Sequence, residues 1–198
     1  MNHINKINTQ INASIEAKQN LLEKCTGQIN LCSDILCEAL QAGNKIIFCG
    51  NGGSAADSQH LAAELVVRLR SHINRPALAA IALTVDTSII TAGGNDIGFD
   101  NIFARQVEAL GKPGDVLIGI STSGNSENVI RAVNQAKQMG IHSIGLLGGS
   151  GGKLIDMCDS AVNVPSPVTA RIQECHILIG HIWCEIIEEV LFPELFEK

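Results

Sequence analysis

The 198-residue sequence has no basic run, no Cys-x-x-Cys pair and no apolar stretch of the roughly 18 residues that a membrane span requires. Each absence removes a class of function. With 14 Lys and Arg against 20 Asp and Glu, net charge −6, the chain is not built to hold a nucleic-acid backbone by charge. Its seven cysteines are odd in number and several lie inside apolar runs. That pattern argues against a disulfide framework or a cysteine-type zinc site and for reduced, buried thiols. The opening MNHINKINTQINASIEAK is too polar for a signal peptide, so the chain reads as cytoplasmic, with no membrane partner. No internal repeat or low-complexity linker divides it, and the length suits one domain. What remains, 45% hydrophobic and 17% charged residues, is a globular composition.

The first forty-odd residues carry helical periodicity. Ile4, Ile7, Ile11 and Ile15 make one stripe; Ile29, Ile35, Leu36 and Leu40 make a second. A break is expected near Thr26-Gly27 and a stop at Gly43. So long an amphipathic helix before the first strand packs either on another subunit or on the chain's own sheet. Strands and helices then alternate: strands over 45–50, 77–83, 114–121, 142–147 and 160–165, helices over about 54–69, 126–139 and 170–191, and a short helix after Gly152. Short, nearly all-apolar strands separated by helices predict an α/β fold with a parallel sheet covered on both faces. Ligands in such sheets bind beyond the carboxyl ends of the strands, where strand order reverses. The loops 50–54, 121–126 and 148–152, all rich in Gly and Ser, are therefore the ones that matter.

The first loop, GNGGSA, matches the weak form of the dinucleotide fingerprint, G-x-G-x-x-A. Two features weigh against a nucleotide. Asp86 comes three residues too late after the second strand to hold a ribose. The second loop, STSGNS, places four hydroxyl residues, Ser121, Thr122, Ser123 and Ser126, at a helix start. Hydroxyls and free backbone amides at a helix N-terminus suit a phosphate monoester without any Lys or Arg. The alternative is that Ser126 or Asn125 simply caps the helix. The third loop, GGSGGK, is equally a flexible turn or a contact.

On the helix that starts at Ser54, Leu61, Ala62, Leu65, Val66 and Leu69 form the apolar face, with Asp57, His60, Glu64 and Arg68 opposite. As a solvated face this stripe needs no function, but it begins directly off the candidate phosphate loop. The last helix is apolar almost all round from Ile177 to Val190, so Gln173, His176 and His181 in or beside it need partners. His60, Glu64 and His181 form a two-histidine, one-carboxylate set, with Gln173 as a further oxygen donor. Such a set suits a divalent metal or, equally, acid–base chemistry without one. Gln173 and His181 are eight residues apart, about 12 Å of helix rise, so a neighbouring chain is a natural source of one of them.

Taken together, CGNGGSAADSQHLAAEL (49–65), GGND (93–96), GISTSGNSENVIRAV (119–133) and ARIQECHILIGHIWCEII (170–187) resemble the phosphoheptose isomerases of the sugar isomerase (SIS) fold over nearly the whole chain. The resemblance implies a single SIS domain over 1–198. Its fold would be a three-layer α-β-α sandwich on a five-stranded parallel sheet of flavodoxin-like order, with residues 1–43 a helical extension used in oligomer packing. It implies a homotetramer with active sites at subunit interfaces. It also implies conversion of sedoheptulose 7-phosphate to D-glycero-D-manno-heptose 7-phosphate for lipopolysaccharide or surface polysaccharide. Asn51, Gly52, Gly53, Ser54, Ser121, Thr122, Ser123 and Ser126 would hold the phosphate, and Asn95, Asp96 and Gln173 the sugar. Glu64 would be the base and His181 the acid; His60, Glu64, Gln173 and His181 would bind one zinc ion per subunit. Two departures stand out. Ala170 occupies a position that is acidic in some members. The tail EEVLFPELFEK resembles a non-enzymatic relative, a tetrameric adaptor that binds the bacterial replication initiator. The intact His60, Glu64, Gln173 and His181 favour the enzyme.

Overall fold

A computed structural model describes residues 3–196. A long helix α1 (Ile4–Gln41) precedes β1 (Ile46–Gly50), α2 (Gly53–Val66), β2 (Ala80–Ala82), α3 (Thr87–Asp96) and α4 (Ile102–Leu110). There follow β3 (Val116–Ser121), α5 (Glu127–Gln138), β4 (His142–Gly148), α6 (Leu154–Met157), β5 (Ser160–Val164) and α7 (Thr169–Leu191). The five strands are all parallel, in the order β2-β1-β3-β4-β5. This is the flavodoxin-like order, and its reversal point falls between β1 and β3.

Every residue of β1 and of β3 is buried, so the two faces are separated by alternation. Ile46, Phe48, Val116, Ile118, Ile120, Ile144 and Leu146 face a core shared with α1, α2 and α7. Ile47, Cys49, Leu117 and Leu147 face a second core with α4 and α5. Near-continuous apolar strands thus become a three-layer sandwich because side chains alternate with period two. All seven cysteines carry free thiols, and all but Cys158 are buried. Burial pushes the Cys32 and Cys37 thiols up to about 11, which keeps them protonated and unreactive.

Three expectations are corrected. The break at Thr26-Gly27 is absent, and α1 is continuous. A helical glycine costs only about 1 kcal/mol against alanine, and Leu21, Cys25, Ile29 and Cys32 bury one face across the site. The Thr26 hydroxyl donates back to the Leu22 carbonyl, 2.6 Å, without breaking the ladder. The second strand shrinks to Ala80–Ala82, because it is an edge that pairs only with Ile46–Phe48 of β1. The stretch after it, given no element above, holds α3 and α4. α3 buries none of its residues and includes Gly93 and Gly94, so it lacks the apolar stripe by which a helix is recognised.

Candidate active site

The reversal point brings the first two loops together. Asn51, from the loop after β1, and Asn128, on α5, exchange two amide hydrogen bonds of 2.9 and 2.8 Å. Asn128 is buried. Its part went unnoticed in the sequence because asparagine in the first turn of a helix reads as ordinary capping chemistry. Neither helix that starts here is capped by its own side chains: Gly52 opens α2, and Ser126 opens α5 without a capping bond. Instead the Ser126 hydroxyl meets that of Ser121 at 3.0 Å. Asn125 is occupied with the Ser123 carbonyl and the Lys153 amide. The Ser54 amide turns back to the Asn51 carbonyl at 3.0 Å, so Gly53 of α2 and Glu127 and Asn128 of α5 offer the first amides, with the partial positive charge of two helix N-termini, beside a ring of hydroxyls, an arrangement that suits a phosphate. Ser54 and Ser121 are buried in this ring, Thr122 and Ser126 are half-buried, and Ser123 is exposed. Asp86, the carboxylate a nucleotide site would need, instead caps α3 by accepting the Ile89 amide at 2.9 Å.

The third loop is a brace. A Cβ on Gly124 would lie 1.8 Å from the Gly151 carbonyl oxygen, and one on Gly152 would lie 2.4 Å from that of Ser123. The Leu154 amide donates to the Gly124 carbonyl, 3.0 Å. Positive φ at Gly124, 65°, and Gly152, 54°, makes glycine necessary at both.

From the same loop α2 runs alongside α7. Gly180 permits the close approach, since a Cβ there would meet the Leu61 side chain at 2.5 Å. One residue on, the His181 Nε2 lies 2.9 Å from the His60 Nε2, with the rings edge to face at 5.1 Å. The Glu64 Oε1 is 3.3 Å from the His60 Nε2. The ligand atoms of His60, Glu64 and His181 all lie within 4.8 Å of one another. Two imidazole nitrogens and a carboxylate oxygen turned inward on one point are a donor set that fits zinc. Asp57, one turn before His60, has a carboxylate oxygen buried without a hydrogen-bond partner. Burial pushes its carboxyl up, against the pull of His60.

The structure separates Gln173 from this trio within one chain. Its amide lies over Gly53, where a Cβ would come within 2.4 Å of Nε2, about two turns along α2 from His60. Asn95 and Asp96 are exposed at the end of α3, and their side chains bond to each other at 2.7 Å. His176, the other polar residue of the last helix, is a core residue. It is fully buried, with Nε2 2.9 Å from the Leu147 carbonyl oxygen, and burial pushes its imidazole down to about 4. Arg68 lies beyond α2, which ends at Val66, three residues earlier than its apolar pattern indicates.

The chain is similar to known proteins. The SIS domain family model matches residues 10–148. A phosphoheptose isomerase of Clostridium acetobutylicum is 55% identical over 196 residues, covering 98% of this chain and 99% of that protein. One from Nitratiruptor is 59% identical over 167 residues, 84% of this chain and 88% of that one. Among solved structures, a phosphoheptose isomerase from Neisseria gonorrhoeae superposes with a TM-score of 0.89 at 46% identity, covering 95% of this chain and all of that one. Another, from Francisella tularensis, gives 0.91 at 42% identity, covering 96% and 100%. The uncapped loops at the sheet's reversal point and the His60, Glu64 and His181 trio thus stand in a chain that belongs to the phosphoheptose isomerase family of SIS-domain proteins.

Proposed function

We propose that this chain is the isomerase that converts sedoheptulose 7-phosphate to D-glycero-D-manno-heptose 7-phosphate, a step toward bacterial lipopolysaccharide or other surface polysaccharide. The observation that carries the proposal is the position of the trio: it lies on the helix that grows directly out of the phosphate loop. Ser54, Ser121, Thr122, Ser123 and Ser126, with the first amides of α2 and α5, hold the phosphate. Asn51 is fixed by Asn128 for this purpose. Gln173 lies at the same end, which supports a contact with the sugar; Asn95 and Asp96 complete that contact.

A ketose becomes an aldose by moving a proton between adjacent carbons through an enediol-type intermediate. Glu64 takes the proton from carbon and returns it to the neighbour, and His181 gives and takes the proton at oxygen. His60, Glu64 and His181 would hold the zinc, with Gln173 the fourth donor in the assembled protein, and His181 would then exchange its proton through the ring nitrogen not bound to the metal. Zinc, when bound, polarises the carbonyl of the sugar. A carboxylate has two oxygens, so Glu64 engaged through Oε1 retains a second one for the proton.

We place the site at an interface between copies. The stripe Ile4, Ile7, Ile11 and Ile15 is about half exposed along α1 (49–58%). A groove of about 370 Å³ between α1 and α7 is walled by Leu21, Leu22, Ile29, Leu178, Ile182 and Ile186. Apolar faces of this extent support a homotetramer in which α1 packs between subunits. Free buried thiols and a sugar-phosphate substrate support a cytoplasmic location. The adaptor reading is not favoured, because the trio has no task in it. Purified protein offered sedoheptulose 7-phosphate should form the aldose phosphate, with sedimentation at four times 21.0 kDa. No conversion by zinc-loaded tetramer would sink the proposal.

A further inference from the structure

α2 ends where a helix ordinarily leaves carbonyls unpaired. Here two of them, those of Glu64 and Leu65, are held by one side chain from the following loop. The Arg75 Nη2 donates to the Glu64 carbonyl at 2.7 Å, and Nη1 to the Leu65 carbonyl at 2.9 Å and to Pro76 at 3.0 Å. The third arm, Nε, donates to the Glu188 Oε1 on α7 at 2.9 Å. Both side chains are 0% exposed. Glu188 also accepts from the Leu69 amide, 3.2 Å, and from the Arg70 Nε, 3.1 Å. Arg70 in turn reaches Glu189 and the Glu185 carbonyl, and stacks over Phe196 at 4.5 Å. A guanidinium at a helix C-terminus is favourable for the helix dipole, and one with four of its five N–H donors on fixed acceptors is also rigid.

This arrangement joins the two elements that make the trio. His60 and Glu64 lie on α2, and Arg75 grips the main chain of Glu64 itself. His181 lies on α7, about two turns before Glu188. We propose that Arg75 and Glu188 are positioning residues for the isomerase site: together they fix the axial register of α2 against α7, and so the meeting of Glu64 and His60 with His181. The inference rests on the isomerase reading of the trio but concerns residues outside it. It also gives the tail a task. Burial pushes the Glu188 carboxyl up, but the bonds from Arg75 and Arg70 outweigh it and hold the group ionised, below the ordinary carboxylate range.

The test is Glu188→Gln in the full chain, with Glu189→Gln, an exposed partner of the same Arg70, as the control. Zn²⁺ affinity is measured by competition with a chromophoric chelator, and kcat and KM are measured separately. Glu188→Gln should weaken Zn²⁺ binding about tenfold to a hundredfold, the usual cost of losing a support behind a ligand. It should lower kcat at least about tenfold and leave KM within about threefold, because the phosphate loops lie at the other end of α2. Glu189→Gln should match wild type. If Glu188→Gln does not fold, Arg75→Lys serves: it keeps the charge, but a single ammonium nitrogen cannot span the four acceptors that the planar fork holds. A folded variant with a lower melting temperature but wild-type kcat and Zn²⁺ affinity would overturn the proposal, as would a KM that rises as far as kcat falls. Wild-type protein inert towards sedoheptulose 7-phosphate would instead sink the isomerase reading, with the Zn²⁺ affinities of the variants still deciding the clamp. Wild-type turnover without Zn²⁺ binding would leave the kcat and KM split to decide.

Discussion

The two ends of α2 are built on different principles. At its N-terminus the site is made of main chain and hydroxyls from short loops, each contiguous in sequence: Asn51 to Ser54, and Ser121 to Ser126. Along its flank the site is made of side chains brought together by helix packing over long separations; His60 meets His181 across 121 positions, and Arg75 meets Glu188 across 113. A loop at the end of a buried strand is placed by the sheet, whatever the helices do. A trio shared by two helices is only as exact as their register, which Gly180 and the Arg75–Glu188 pair must maintain. On the proposed function, one half of the site would bind and the other half react, and their failures should separate in kinetics.

The largest effect belongs to the reacting half. Glu64→Gln keeps shape but removes the base, and kcat should fall by about 10²–10⁴ with KM within about threefold. A KM effect as large as the kcat effect would erase the division. Next comes the brace behind the phosphate loop. Gly124→Ala forces a Cβ into the Gly151 carbonyl at a backbone φ of 65°. It should cost about 2–4 kcal/mol of stability, read by chemical denaturation, and raise KM in whatever protein remains folded.

The core behind the reacting half should show itself in acid. Burial holds His176 at about 4, so below about pH 6.5 the unfolded chain takes up a proton that the folded chain refuses until about pH 4. Folding stability should therefore fall as pH drops through that window, by on the order of 3 kcal/mol. Unfolding curves at pH 6.5, 5.5 and 4.5 read this loss. Glu188 and Asp159 are held below their ordinary values, 4.5 and 3.8, and add to the loss only from there downward. A flat profile between pH 6.5 and 4.5 would show His176 to be charged in the fold. The smallest effect is at the binding half: Ser126→Ala should raise KM about tenfold to a hundredfold, the worth of one hydrogen bond to a charged group, with kcat little changed.

How much of this was legible in the sequence follows the same division. The strands, the parallel sheet covered on both faces and both loops could be placed because each is specified by a contiguous pattern of apolar runs and glycine, whereas the flavodoxin-like order rested on the resemblance. The hydroxyl-rich 121–126 loop even spoke for phosphate over dinucleotide, and Asp86 turned out to be a helix cap. His60 and Glu64 share one turn of one helix, so their proximity was visible, whereas His181 was joined to them by residue type alone and the roles of all three rested on a resemblance. Arg75, Glu188, Asn128 and Gly180 were not legible, because each acts through a partner at least 77 positions away or through a helix contact that no local period encodes. The false break at Gly27 was the opposite error, a local signal overruled by packing along one face of α1.

The central claim is that this site moves a proton between a sugar's carbonyl carbon and the carbon beside it. It is tested most directly by incubating the zinc-loaded protein with sedoheptulose 7-phosphate in deuterated water and following the sugar C–H signals by NMR. The account predicts an aldose 7-phosphate carrying deuterium at C2. No conversion at all would contradict it, as would conversion that persists undiminished in Glu64→Gln.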